Sequence, residues 1–281
     1  MEPDPALAAV KTYNYLRIAL AALVLLLFVS VALEWWAADG CLQPSISAYY
    51  FTPVRAVFIG VLVTMGVCLV ALKGNTDGED VLMNLAGMLA PGVAFIPTGA
   101  SGRCGASDAG LDVPAGVANN MPALFVTGLV VGAVTLVIAR REAGGLRLST
   151  PNRLGLGLTL LVLGSGVAWF LVARDSFLDR GHDAAAIPMF LAVIAVVWLN
   201  ARDVQHAVAE GAVPSTRGRY VPVYRGIAVG MFVALGVTVA ITLLTGSTSL
   251  VLWVEVVLIA LFAAFWVVQT VELWDRGLRA S

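Results

Sequence analysis

The sequence predicts an all-α fold: a polytopic transmembrane helical bundle of about eight spans, forming a single transmembrane domain over residues 1–281 with both termini cytoplasmic. Three observations predict it. Of the 281 residues, 59% are hydrophobic and only 12% charged, whereas a soluble domain carries about 25% charge. The mean hydropathy is +0.90. The apolar residues gather into long runs separated by charged or glycine-rich breaks. This balance excludes a disordered chain, a disulfide-rich secreted scaffold and a collagen. With a formal net charge of -1 and 17 basic residues scattered between apolar runs, there is no basic stripe, so nucleic acid is excluded as a partner. Membrane lipids are the expected partners instead. Arginine outnumbers lysine 15 to 2, and Ala, Val and Gly dominate, which fits a high-GC bacterial genome and a cytoplasmic (inner) membrane protein.

A helix needs about 20 mostly apolar residues to cross about 30 Å of hydrocarbon. Eight segments meet or approach that length: 16–33, 56–72, 81–97, 121–139, 154–173, 184–200, 226–244 and 250–273. The first outruns the 7 to 15 apolar residues typical of a signal peptide and ends on Glu34, Trp35 and Trp36, an interfacial anchor, so it reads as a retained helix. The third is interrupted by Asn84 and the Pro91-Gly92 pair, and a re-entrant segment is its alternative. The sixth follows His182 and Asp183, with Asp183 expected as its N-cap. The eighth carries a carboxylate, Glu255, well inside. The longest connections, at 98–120 and 201–222, are too short to fold alone, and no internal repeat is visible.

Lys and Arg on alternate sides of these spans number 13 against 4, and the richer side is cytoplasmic. Cys41 and Cys104 then fall outside, where disulfides persist, while Cys68 lies inside the second span. A Cys41–Cys104 bridge is expected, worth roughly 4 kcal/mol by chain entropy. Helices in lipid associate through close backbone approach. Gly128 with Gly132, Gly226 with Gly230, and the group Gly155, Gly157, Gly164 and Gly166 mark expected packing faces, read as internal rather than dimeric. The oligomeric state is not set by these pairs.

Glu255 is the most informative residue, because a carboxylate within a span is costly and marks a pathway, a proton relay or an ion pair. Arg55, at the external start of the second helix, is its expected partner. At 100° per residue, Phe262, Trp266 and Gln269 fall within about 40° of Glu255. Together Arg55, Glu255, Phe262, Trp266 and Gln269 make a candidate intramembrane polar pocket. Two readings stand: a lipid or small-molecule groove opening outward, or a buried structural ion pair among core aromatics. His182 lies on the same side, where a histidine titrates near neutral pH. The only other histidine, His206, is expected in the cytoplasm, so a multi-histidine zinc site cannot be assembled, and no metal or cofactor is expected. No G-x-S-x-G elbow, H-E-x-x-H, P-loop or dinucleotide fingerprint is present, and no catalytic residue is identified. Lys73, Asp77, Glu79 and Asp80 read as a solvated cytoplasmic turn.

The stretch from Gln43 to Val70 carries a Pro-x-Ile-Ser element, Pro44, Ile46 and Ser47, then Pro53 and Arg55, then Phe58 and Gly60 opening the second span. In this it resembles the DRAM, Frag and Sfk superfamily of polytopic membrane proteins and their bacterial domain-of-unknown-function relatives. The third span, from Asn84 to Thr98, is similar to bacterial members as well, and the resemblance covers about the first hundred residues. Two departures stand out: Ala48 occupies a position that is usually acidic in the animal proteins, and eight spans exceed their usual six. The resemblance implies ties to lipid remodelling, lipid-kinase recruitment or autophagy, and it carries over no catalytic residue.

Read by themselves, Ser45, Ser47, Tyr49, Tyr50 and Thr52, with His182, are candidate headgroup contacts. Pro44 and Pro53 would stiffen their loop, and Arg55 would face a phosphate. An interfacial aromatic belt is the plainer account of the same residues. The expected function is lipid binding or envelope organisation through an external-side polar pocket. The alternatives are a small-solute or proton-coupled transporter using Glu255, and a lipid-modifying enzyme for which the sequence offers no nucleophile and base cluster.

Overall fold

The computed structural model describes residues 5–99, 102–106, 110–142, 150–245 and 250–279. Among the described residues it holds eight α-helices and no strand: α1 (Pro5–Ala37), α2 (Arg55–Ala71), α3 (Asp77–Phe95), α4 (Val113–Glu142), α5 (Thr150–Val172), α6 (Arg174–Ala209), α7 (Tyr220–Thr245) and α8 (Val251–Glu272). Every expected span contains a helix. Six of them, α1 and α4 to α8, are long and apolar enough to cross a membrane. At 17 residues α2 is shorter, and α3 opens on three acidic residues, Asp77, Glu79 and Asp80.

Six helices close a ring. α1, α2, α3, α6, α7 and α8 pack in that order, and α8 returns to α1. Outside the ring, α4 and α5 lie against each other and against α3, and a small apolar cluster of Ile96, Val117, Met121, Phe125, Phe170 and Phe177 joins them to it. Their outward faces expose Val126, Leu129, Val130, Leu160 and Leu161, a surface that water disfavours and lipid solvates.

Particular residues set these elements. Thr76 caps α3 by accepting the Glu79 N–H at 3.3 Å, and the acidic first turn complements the positive end of the helix dipole. The helix then runs on through Asn84 and Pro91, so this segment is one continuous helix rather than a re-entrant loop. Its crossing with α2 is made by two glycines: a Cβ on Gly66 would lie 2.6 Å from the Gly87 carbonyl oxygen, and a Cβ on Gly87 would lie 2.6 Å from that of Gly66. Asp112 Oδ1 accepts the Ala115 N–H at 2.9 Å, which starts α4 before its apolar run begins.

Two sequence expectations are corrected here. The sixth helix does not begin after Asp183. Ala173 alone separates α5 from α6, because Phe177 and Gly181 extend the buried face of α6 back along Ile96. Asp183 is therefore mid-helix and exposed rather than an N-cap. The glycine pairs are used by halves: a Cβ on Gly128 would meet Leu163 at 3.3 Å and one on Gly230 would meet Leu261 at 3.2 Å, while Gly132, Gly226, Gly157 and Gly164 have nothing within 4 Å. Gly155 and Gly166 do pack, against Val81 and Phe125.

The two ends of the bundle differ. At one, Cys41 and Cys104 form a disulfide with a Cα–Cα separation of 5.6 Å, as expected. At the other, Asn14 Nδ2 donates to the Trp274 carbonyl at 2.7 Å and Arg17 donates to that of Gly277 at 2.5 Å. The beginning of α1 and the segment after α8 thus meet at the end opposite the disulfide.

Candidate functional site

Between α1 and α2, residues 43–54 form a strap across the disulfide end of the ring. Several of its polar groups are held by specific partners. Gln43 Nε2 donates to the Arg103 carbonyl at 3.0 Å, and the Leu252 N–H at the start of α8 donates to the Pro44 carbonyl at 3.1 Å. Ser45 Oγ accepts the Ala48 N–H at 3.0 Å. Glu255 Oε2 accepts the Ile46 N–H at 2.6 Å, so one carboxylate satisfies a backbone donor that the inward turn removes from water. The strap then winds into a 3-10 turn, Ser47–Phe51, and buries Ile46, Ser47, Ala48, Tyr49, Phe51 and Val54.

Beneath the strap lies a cavity of about 90 Å³. Its walls are apolar, with Phe58, Met65 and Leu69 of α2 facing Met189 and Val193 of α6 and Phe262 of α8. From Phe58 to Leu69 the wall extends about 16 Å at 1.5 Å per residue. Ser47, His182 and Glu255 are the polar and charged lining residues, and all three stand at the strap end. This slot is therefore apolar along its helices and polar at the strap end.

At that end Ser47 and His182 meet. His182 Nδ1 lies 2.8 Å from the Ile96 carbonyl oxygen, and His182 Nε2 lies 2.8 Å from Ser47 Oγ. A carbonyl only accepts, so Nδ1 carries the proton, Nε2 presents its lone pair, and the Ser47 O–H donates to it. Two features place the ring. Ile96 is the C-terminal cap residue of α3, where helix carbonyls lack intrahelical donors. Gly181 lets α6 approach: a Cβ there would lie 2.9 Å from Ile96 Cδ1.

No family model, curated protein or solved structure matches this chain. The site therefore speaks through its own geometry.

That geometry divides the expected pocket. Glu255 and Phe262 line the slot, but the Arg55–Glu255 ion pair does not form. The Ile46 amide occupies the carboxylate, and the Arg55 guanidinium lies 5.9 Å from the Tyr50 ring centre. Trp266 borders a separate gap beside Met83 and Phe265, and Gln269 belongs to the opposite end of the bundle. The fourteen steps from Glu255 to Gln269 rise about 21 Å along the helix, so one angular stripe serves two distant sites.

The expected headgroup hydroxyls are corrected too. Ser47 and Tyr49 are buried, Ser45 caps the strap's turn, and Thr52 Oγ1 donates to the Tyr49 carbonyl at 2.8 Å. Burial pushes the Tyr49 phenol upward from its usual range, partly offset by the Gln43 backbone. Tyr50 is half-buried beside Arg55. The loop folds inward because its apolar residues seal the ring, and its hydroxyls follow them.

At the opposite end the structure assembles a buried charged network that was not foreseen. Arg17 Nε donates to Gln269 Oε1 at 2.9 Å, and Gln269 Nε2 donates to Asn200 Oδ1 at 2.8 Å. Arg279 reaches Glu272 through two hydrogen bonds at 2.9 and 2.7 Å, Asp203 at 2.8 Å and Asn200 at 3.0 Å. Tyr224 OH donates to Glu272 Oε2 at 2.5 Å, and Asn75 joins Glu79 to the Arg279 backbone. Burial by itself would lower the Arg279 pKa, but the hydrogen bonds and charge of Glu272 outweigh it and hold the guanidinium above its ordinary value. Two expectations change. Arg17, counted as a flanking charge, is 1% exposed. Glu79, read as part of a solvated turn, is buried as well, while Lys73 pairs with Asp80 beside it.

Proposed function

We propose that this protein is an eight-span bacterial inner-membrane protein, both termini cytoplasmic, that binds the acyl chain of a membrane lipid in the slot under its strap. The carrying observation is the slot: apolar along walls whose α2 residues, Phe58 to Leu69, are spread over about 16 Å of helix, with Ser47, His182 and Glu255 gathered at one end. A hydrocarbon chain would pack against these walls as it does against other lipid tails, and its ester or carboxyl end would meet polar groups that the bilayer interior does not offer. The disulfide end would face the oxidising side and the end holding Arg17 and Arg279 the cytoplasm, in keeping with the excess of basic residues there. Membership in the DRAM, Frag and Sfk superfamily belongs to the same proposal.

Filling the slot tests it. Ala186, a half-buried slot residue of α6, is replaced by Phe, and both proteins are analysed by native mass spectrometry after gentle extraction. The parent protein is expected to retain lipid at about one per chain and Ala186→Phe to lose it. A parent protein that carries no lipid, or a variant that keeps all of it, removes the reading.

A further inference from the structure

We propose that Ser47 and His182 are a nucleophile and base that transfer the acyl group of a lipid ester whose chain lies in the slot, an inference that rests on the acyl-chain reading above. The arrangement has the three parts such chemistry uses: a hydroxyl, an imidazole nitrogen within hydrogen-bond reach of it, and a third group that fixes the imidazole. Ser47 Oγ to His182 Nε2 is 2.8 Å, and Nδ1 to the Ile96 carbonyl is 2.8 Å. Here a helix-end carbonyl does what a carboxylate does elsewhere: it holds the proton on Nδ1 and leaves Nε2 as the base. Both side chains are about 6% exposed, and both line the slot, so the hydroxyl is kept from bulk water yet faces the space a chain would fill.

The strap holds the nucleophile. Glu255 accepts the N–H of Ile46, the residue before Ser47, and is a positioning residue. An acyl carbonyl at the polar end receives Ser47 Oγ while the hydroxyl proton passes to His182 Nε2. The ester C–O bond then breaks, the departing alkoxide takes that proton from Nε2, and an acyl group remains on Ser47. Water attacks this second ester, gives a proton to Nε2, and releases the carboxylic acid as Ser47 Oγ regains its proton. The same chemistry with an alcohol in place of water moves the chain to another lipid. Apolar walls over about 16 Å select a linear acyl chain over a polar solute.

The test uses a long-chain alkyl fluorophosphonate on the full protein in lipid nanodiscs, read by peptide mass spectrometry. Attack by Ser47 Oγ on phosphorus forms a P–O bond and expels fluoride, leaving an adduct on Ser47. We expect that adduct in the parent protein and its absence in Ser47→Ala. His182→Asn is the sharper variant, because an asparagine amide can still donate to the Ile96 carbonyl but supplies no base, and its labelling rate should fall by about 100-fold or more. A parent protein that retains lipid yet forms no adduct at Ser47 overturns the dyad and leaves the binding reading intact. Labelling of His182→Asn at the parent rate also overturns it. An adduct on a protein that retains no lipid supports the dyad and removes the binding reading.

Discussion

Replacing Arg279 by Met should destabilise this protein more than any other single change to an aqueous-end residue. Its guanidinium makes two hydrogen bonds to Glu272, one to Asp203 and one to Asn200, and both Arg279 and Glu272 are almost fully buried. Methionine keeps the apolar stem and removes all four. Glu272 would retain the Tyr224 hydroxyl, one neutral donor for a charge held before by a bidentate cation. Each charge-assisted hydrogen bond contributes about 1.5–3 kcal/mol. Stripping one partner from a buried pair costs about 3–5 kcal/mol because the other charge stays buried, so we expect about 4 kcal/mol. Cys68 supplies the assay: it is the free cysteine, buried in α2, and a thiol-reactive dye reports its exposure on heating. The expected fall in Tm is about 8–16 °C on the scaling of large domains. Arg279→Met with Glu272→Met should recover most of it, since the double variant buries no unpaired charge there. A single variant within 1 kcal/mol of the parent, or a double variant as unstable as the single, refutes this account of the network.

Other changes test the frame around the site. Gly66→Ala or Gly87→Ala should cost about 1–3 kcal/mol by forcing α2 and α3 apart, whereas Gly60→Ala, with nothing within 4 Å, should be neutral or slightly stabilising in the same thiol assay. Replacing Cys41 and Cys104 by Ser opens a link between residues 63 apart in sequence; stability should drop by up to about 4 kcal/mol on the chain-entropy account, seen as earlier unfolding without reductant and no further change on adding it. Gly181→Val should push α6 from Ile96, where even a Cβ would lie at 2.9 Å, and reduce fluorophosphonate labelling of Ser47 along with stability.

The helices were legible in the sequence because a helix that crosses lipid needs a long run of mostly apolar residues. The disulfide was legible from side counting, which put Cys41 and Cys104 together. The site was only half legible. Ser47 and His182 each stood out as polar residues on the same side, but 135 residues separate them, and nothing local says that the strap turns inward to join them. Glu255 was expected to pair with Arg55 and instead accepts the Ile46 N–H: an angular stripe along α8 carries no information about a backbone amide arriving from another segment. The opposite network was missed for a similar reason. Glu79 and Glu272 lie near helix ends and Arg17 at the edge of its apolar run, places where charge is cheap and usually solvated, and only the fold shows the segment after α8 closing over them. The glycines follow the same logic, since spacing identifies Gly128 and Gly132 alike while packing uses only the first.

Closure of the ring by its first and last helices bears on how the protein is made. α1 is synthesised well before α8, and Arg17 acquires its hydrogen bonds only when Gln269 and Gly277 emerge, about 250 residues later. At about 5–20 residues per second, the nascent chain holds a guanidinium near the membrane for many seconds with no permanent partner. A ribosome that stops between α1 and α8 leaves behind a helix whose buried guanidinium lacks both of its later acceptors.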